Sequence, residues 1–382
     1  MSAKMSKASR HSFELGRARP SAPMIDRYTI VPILACVYAS IVSPLILATC
    51  SPTDRLCLLE SRPDNKIFWP AVTAISIVLV LRNRSRLTLP PHIICLFAYL
   101  ALAGASVLWS VKPELSFIRI VQEVMIVTSI VLPAMLRVGK ADMLHGLFLC
   151  FALGSILNFL FILITGAQSI ADHKLIGYEG YFLGGKNILG QFAAVALFLA
   201  LNEMRFSGIR RAVGILVAAI CAMLLFLSNS KTSLGFALLA PFLAGMTLMI
   251  GRRMRISVAI VLLFLIGLVE FCYIVSPYNI NDLSQFMFGD RTFTGRTFIW
   301  DFANFEIARK PFFGWGYKSV WLTGADAPSA VDAQGFVKLM PHAHNGYLDT
   351  ILDTGYVGFA FFLMFLIATV HAAGRVADRD PA

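Results

Sequence analysis

Ten long apolar runs dominate this chain of 382 residues and limit what it can fold into. Most approach the roughly 20 apolar residues that a helix needs to cross a bilayer. Because unpaired backbone groups are costly in lipid, such runs predict α-helices. We therefore expect an all-α polytopic membrane protein. The ten predicted spans cover residues 29–48, 67–81, 89–109, 119–136, 143–165, 187–204, 212–229, 233–250, 256–276 and 346–372.

The composition excludes several other classes of protein. Apolar residues make up 57% of the chain and charged residues only 14%, whereas soluble domains carry about 25% charged residues. An ordinary cytosolic enzyme, a secreted disulfide scaffold and a disordered protein are therefore all disfavoured. The net charge of +11 does not indicate a nucleic-acid partner, because the basic residues form short clusters between the apolar runs.

The basic clusters predict how the spans are oriented. With residues 1–28 inside and the spans alternating, the inner segments hold 19 of the 33 Lys and Arg residues but 6 of the 22 acidic residues. Every inner loop is then basic, as the positive-inside rule requires. We expect both termini, residues 1–28 and 373–382, to be cytoplasmic. The N-terminal segment has no cleavage site after the first apolar run, so we interpret it as a retained tail.

The segment 277–345, between spans nine and ten, is predicted to be a large outer loop. Its length of about 69 residues exceeds normal connections, which favours a functional role. Within it, Gly295–Pro311 has apolar residues at 298, 299, 302, 305 and 307–308, a spacing that predicts an amphipathic helix ending at Pro311. We expect this helix to lie at the membrane interface.

Two outer positions have features that suit an anion. Lys186 and Asn187 begin span six, where free backbone N–H groups attract negative charge. The turn Ser228–Ser233 between spans seven and eight is rich in hydroxyl groups, with Lys231 as its one charge. A simple Asn cap with a snorkelling Lys and a solvated turn are the structural alternatives.

The outer loop adds cations and histidines. Arg291 and Arg296 precede the amphipathic helix, and a guanidinium can hold phosphate oxygens in bidentate fashion or attract lipid headgroups. His342 and His344 lie just before span ten, where an imidazole suits general-base chemistry. We find no third ligand at metal-binding spacing and expect neither a metal nor a cofactor. Cys50 and Cys57 could form a disulfide if the stretch between them is extracytoplasmic.

Three stretches together resemble the bacterial O-antigen ligase and polysaccharide polymerase superfamily, especially its succinoglycan-type exopolysaccharide polymerases. Gly295–Tyr317 is similar to that family's GR-x3-W helix and RP-x2-G-x-G turn. His344–Gly358 fits the pattern His-Asn-x9-Gly-x2-Gly, and the two outer turns match less specifically. In the turn between spans seven and eight, Lys231 stands where members of that family usually have Arg. The chain also ends soon after the histidine motif, which is typical of a short or truncated member.

The resemblance implies glycan transfer at the periplasmic face of the bacterial inner membrane. The donor is an oligosaccharide on undecaprenyl diphosphate, and the acceptor is a second lipid-linked repeat unit or the lipid A core. Membrane lipids and other polysaccharide assembly proteins are the remaining implied partners. His344 is the implied base, supported by His342 and oriented by Asn345 or Asp349. The implied diphosphate ligands are Arg296, Lys231, Arg291, Lys186 and Asn187. The exposed aromatics implied as a sugar-stacking surface are Trp300, Trp315, Tyr317 and Trp321.

Other readings stay open at this point. A polymerase and an O-antigen ligase share these motifs, and the sugars and linkage are not specified by them. A lipid-linked sugar flippase is the alternative from another class, although the polar residues lie at one face and no internal repeat is evident. A non-catalytic scaffold that only binds is a third.

Overall fold

The computed structural model describes residues 28–50, 62–136, 140–171, 174–182, 185–275, 282, 285–286, 292 and 295–379. It confirms an all-α polytopic architecture. Ten helices correspond to the ten predicted spans. They are α1 (Ile30–Thr49), α2 (Pro63–Arg82), α3 (Pro91–Ala105), α4 (Pro113–Ala134), α5 (Lys140–Thr165), α6 (Lys186–Glu203), α7 (Ile209–Ser228), α8 (Lys231–Met254), α9 (Val258–Val275) and α12 (Gly346–Arg379).

Eight of these helices are long and apolar enough to cross a membrane. In α9 the comparable stretch is shorter, Val258–Val269. The other helix outside these eight, α6, has polar residues at both ends. Its middle is buried and rich in small residues, including Gly190, Ala193 and Ala196. It packs between α5, α7 and α8. The neighbouring helices therefore cover α6, whose own sequence is less apolar than that of the other spans.

Local signals explain where several helices begin. Proline occupies the first helical turn of α2, α3 and α4, where its missing N–H group costs nothing. Ser230 caps α8 by accepting a hydrogen bond from the Ser233 N–H group. One π-helical segment, Tyr38–Val42, interrupts α1. Cys50 is disulfide-bonded, and Cys57 lies outside the described residues.

A short antiparallel hairpin between α5 and α6 was not predicted. Its strands are β1 (Gln168–Ala171) and β2 (Lys174–Tyr178). The sequence GAQSIADHKLIGY has little alternation, so it gave no strand signal. The hairpin matters because β2 packs against the start of α6 and the end of α7.

The segment between α9 and α12 is folded around its own apolar core. It contains α10 (Arg296–Arg309) and the short α11 (Pro328–Val331). The predicted helix exists and ends before Pro311, but its apolar stripe was partly wrong. The buried face is Ile299, Phe302, Ala303, Glu306 and Ile307. Phe298 and Phe305 are more than half exposed, because they point away from the core that the loop forms with α12.

Candidate active site

The two most specific sequence motifs interlock through the backbone. At Gly355 the last helix is kinked, with φ 66° and ψ −172°, and the turn that follows Pro311 fits into this kink. Trp315 N donates to Leu352 O at 2.7 Å, and Tyr356 N donates to Pro311 O at 2.8 Å. The kink frees helical N–H and C=O groups, and the turn satisfies them. The start of α12 is therefore held against the loop.

The turn itself needs glycine at two positions. Gly314 has φ +67° and Gly316 has φ +101°. A Cβ atom at Gly314 would lie 2.5 Å from Leu352 O, and one at Gly316 would lie 2.6 Å from the backbone of Ser110. Close approach of three chain segments, rather than flexibility, explains why glycines alternate here.

His344 lies between the loop core and the first turn of α12. Its backbone is left-handed, with φ +53°, and its N–H group donates to Nδ1 of His342 at 3.0 Å. The two imidazole rings lie 4.2 Å apart between centroids. Partial burial of the ring, followed by the neighbouring His342 and Arg296, lowers the pKa of His344 to about 4. The ring is therefore neutral at physiological pH and able to accept a proton.

Arg296 is the first residue of α10 and lies close enough to His344 to influence its charge. Gly295 begins this helix with φ +84°, and Thr292 accepts a hydrogen bond from Gly295 N at 2.9 Å. We find no hydrogen bond or ion pair on the Arg296 guanidinium within the described part of the chain. Among the described residues, the cation therefore lies near the imidazole without an ion pair of its own.

Asn345 and Asp349 position the backbone around the histidines. Asn345 Oδ1 accepts from Tyr347 N at 3.1 Å and caps the first turn of α12. Asp349 Oδ1 accepts from Ala343 N at 2.9 Å and from Trp321 Nε1 at 3.0 Å. Among the described contacts, neither side chain bonds to the His344 ring. Their implied role in orienting that imidazole is therefore indirect, through the turn that carries it.

Lys186, Asn187 and Lys231 form a second polar cluster at the hairpin. The Lys186 ammonium donates to Ile176 O at 2.8 Å and to Asn229 O at 3.3 Å. Asn187 Oδ1 accepts from the Ser230 hydroxyl at 2.9 Å. Asn187 therefore joins α6 to the start of α8, and its amide oxygen does not cap its own helix.

The structure brings the predicted site residues together as two groups. Arg296, His342, His344, Asn345 and Asp349 meet at the loop and the start of α12. The second group is the cluster at the hairpin. No hydrogen bond, ion pair or ring contact between the two groups appears in the described ranges. Arg291 lies outside those ranges.

The aromatic residues expected to be exposed are largely buried, so that expectation was wrong. Tyr317 is 4% and Trp321 6% exposed. The indole N–H of Trp300 donates to Ala343 O, and that of Trp315 to Glu306 O. Trp315 is also covered by Lys310, whose Nζ atom lies 4.0 Å from the ring centroid. Each ring is part of the folded loop because an aromatic residue with a bonded polar tip stabilises a small core.

Sequence reasoning missed the residues that join the loop to α4. Lys318, with φ +49°, pairs through Nζ with Glu123 at 3.4 Å, and its carbonyl accepts from Arg119. Lys112 pairs with Asp326 at 2.9 Å. Arg119 and Glu123 are four residues apart on α4, a spacing at which they could instead have paired with each other. A charged residue at a span end has several possible partners, and the sequence alone does not specify which loop residue will reach it.

A buried charge network stiffens α10. Glu306 is fully buried and accepts from Arg309, which also contacts Asp332 at 2.6 Å. Burial raises the pKa of Glu306 to about 6, against the opposing effect of Arg309. Separately, no three His, Cys, Asp or Glu side chains of the described residues group as metal ligands would.

Comparison with known proteins finds two similarities in sequence. The family model described as O-Antigen ligase matches residues 216–363, which include α8, the loop and the kinked start of α12. The chain is also 29% identical over 107 residues to "Exopolysaccharide production protein ExoQ" of Rhizobium meliloti (strain 1021). That alignment covers 26% of this chain and 24% of the relative, about a quarter of the relative's length. Residues 216–363 of this chain are therefore similar to the O-antigen ligase family.

Proposed function

We propose that this protein transfers a glycan from undecaprenyl diphosphate to an acceptor hydroxyl at the periplasmic face of the bacterial inner membrane. The observation that carries the proposal is the meeting of Arg296 with the neutral imidazole of His344 at the start of α12. One group is suited to a diphosphate and the other to a hydroxyl proton. Glycan transfer needs both the cation and the base at one place.

In the proposed reaction the acceptor oxygen attacks the anomeric carbon of the donor glycan. The bond between that carbon and the diphosphate oxygen breaks, and undecaprenyl diphosphate leaves with the electron pair. His344 takes the proton from the acceptor hydroxyl. Arg296 stabilises the negative charge that develops on the leaving diphosphate. A diphosphate is already a good leaving group, so the proposal includes no metal.

The location of the site is part of the proposal. When α1 to α9 cross alternately from an inner N-terminus, the loop between α9 and α12 lies outside. The hairpin, the Ser228–Ser233 turn, the end of α3 and the start of α4 then lie on the same side. The contacts of Lys112 and Arg119 with the loop agree with this arrangement. The basic residues of every predicted inner loop favour it independently.

Polymerisation of exopolysaccharide repeat units is the product that we favour. The matched relative is a protein of exopolysaccharide production by its name. The competing product, glycan attached to the lipid A core, uses the same donor and the same two residues. Lys186, Asn187 and Lys231 would bind the lipid-proximal part of the donor from the second cluster.

The test is a gene deletion in the source bacterium, followed by separation of surface polysaccharide and lipopolysaccharide on gels. Polymerase function predicts loss of long exopolysaccharide with unchanged lipopolysaccharide. Loss of capped lipopolysaccharide alone would identify a ligase. Unchanged profiles of both would contradict the proposal.

Complementation then tests the arginine. Arg296→Lys keeps the charge but lacks the bidentate fork, so we expect little or no polymer at equal membrane levels. Arg253→Lys is the matched control, because Arg253 lies in the last turn of α8 at the opposite end from the site. Equal polymer from both variants would show that a guanidinium is not required.

A further inference from the structure

A cavity lies beside His342, between the loop and the helices α4 and α12. Its volume is about 500 Å³, within the range of about 300–1,000 Å³ typical of small-molecule sites. An ordered water occupies about 30 Å³, so the space is far larger than one or two waters need. The polar residues that line it are Arg119, Gln122, Lys318, His342, Asp349 and Asp353.

Hydrogen-bonding capacity on the walls remains available. Both bonds to Asp349 use Oδ1, which leaves Oδ2 able to accept. The amide of Gln122, in α4, has no hydrogen-bond partner within the residues that the structure describes. An amide can donate and accept at once, as a hydroxyl group does. This amide lines the cavity without being fully buried, so it is available to a polar ligand that enters there.

The walls carry groups of both signs. Arg119 and Lys318 bring two cations, Asp349 and Asp353 bring two carboxyl groups, and Lys318 is already paired with Glu123. Because both signs lie on the same walls, a ligand of either charge would meet like charge as well as opposite charge. A neutral ligand with many hydroxyl groups would satisfy both the acceptors and the donors.

The backbone around the cavity is held in costly conformations. Lys318 and Leu322 line it and have φ +49° and +50°, and His344 beside it has φ +53°. Non-glycine residues rarely adopt this backbone conformation, and those that do concentrate at binding sites. Three of them around one cavity show that the loop maintains this shape against local preference.

We propose that this cavity binds one neutral sugar unit of the glycan, next to the reacting centre. The carboxyl groups of Asp349 and Asp353 hydrogen-bond with its hydroxyl groups, and Arg119 and Gln122 donate to it. His342 forms a wall of the cavity and contacts the His344 ring. A sugar bound here therefore presents a hydroxyl group or glycosidic oxygen toward the base. This assignment deepens the proposed function and rests on it for its role, although sugar binding itself does not require turnover.

The test uses the purified full chain in lipid nanodiscs and saturation-transfer difference NMR. The probes are methyl α-D-glucopyranoside, methyl β-D-galactopyranoside and a methyl glucuronide. We expect saturation transfer to at least one neutral glycoside and weaker transfer to the anionic one. Absence of transfer to both neutral glycosides, or preference for the glucuronide, would overturn the proposal.

Two variants locate the binding site. Gln122→Trp fills the cavity and should abolish the signal, whereas Gln191→Trp, an exposed position on α6, should leave it intact. Asp353→Asn is isosteric and replaces the carboxyl group on the cavity wall by an amide, so it should weaken binding by roughly two- to tenfold, as expected for one altered hydrogen bond. Binding that survives both cavity variants unchanged would contradict the assignment.

Two further readouts separate this proposal from the proposed function. Competition with undecaprenyl-diphosphate-linked oligosaccharide distinguishes the source of the sugar. Displacement of the bound glycoside assigns the cavity to the donor glycan, whereas glycoside binding that persists assigns it to the acceptor. Either result supports a sugar site. If transfer activity is absent but the glycosides bind at the cavity, the proposed function fails and this inference stands. If Gln122→Trp transfers glycan at the wild-type rate, this inference fails and the proposed function stands.

Discussion

Replacing Gly355 with alanine should release the start of α12 from the loop. The residue has φ 66° and ψ −172°, a conformation that is nearly exclusive to glycine and costs other residues about 1–3 kcal/mol. A Cβ atom there would also overlap the carbonyl group of Phe312, and such overpacking adds about 1–3 kcal/mol. The expected total is about 2–6 kcal/mol. That is a large share of the roughly 5–15 kcal/mol that stabilises a typical protein.

Tryptophan fluorescence during thermal unfolding in detergent is the assay, because Trp300, Trp315 and Trp321 all report on the loop. Gly355→Ala should unfold this signal at a clearly lower temperature than wild type and should reduce glycan transfer. Gly346→Ala is the matched control, since a Cβ atom there meets nothing within 4 Å. Equal unfolding temperatures for the two variants would show that the interlocked turn does not hold α12.

Two further predictions concern proton transfer and topology. Because the pKa of His344 is lowered to about 4, the base stays unprotonated above pH 5. The value of kcat/KM should therefore be flat from pH 5.5 to 7.5 and fall only as the pH approaches 4. Loss of half of kcat/KM near pH 6.5 would contradict this. A cysteine at the exposed Gln334 should react with an impermeant thiol reagent in intact spheroplasts, whereas one at the buried Ser329 should not. Labelling of Gln334→Cys only after lysis would place the loop inside.

The helical framework could be predicted from the sequence because its physical cause is local. Apolar length specifies a span, and proline or serine specifies several starts. The loop between α9 and α12 was recognisable as folded from the helical spacing of its apolar residues. Its apolar stripe was misjudged at Phe298 and Phe305, since the spacing cannot show which neighbour a face will meet. The tertiary core of the loop decides that.

The candidate site divides in the same way. Motif and residue type together were enough to propose His344 as a base and Arg296 as a phosphate ligand, and both roles stay predictions. The contacts of Lys318 and the position of Asp353 on the cavity wall could not be predicted from the sequence. Both depend on how the loop folds back on α4, about 200 residues earlier in the chain. They also depend on the left-handed backbone of Lys318, which no sequence pattern marks. The burial of Trp321 was missed for the same reason.

The most direct measurement compares asparagine at each of the two histidines in a purified transfer assay with undecaprenyl-diphosphate-linked oligosaccharide. Asparagine tolerates the left-handed backbone of position 344 but cannot take a proton at neutral pH. At position 342 its oxygen can still accept the hydrogen bond from the His344 N–H group. We predict that His344→Asn loses about 10²- to 10⁴-fold in rate, while His342→Asn stays within a few-fold of wild type. Wild-type rates in His344→Asn, at equal protein folding, would contradict the assignment of the base.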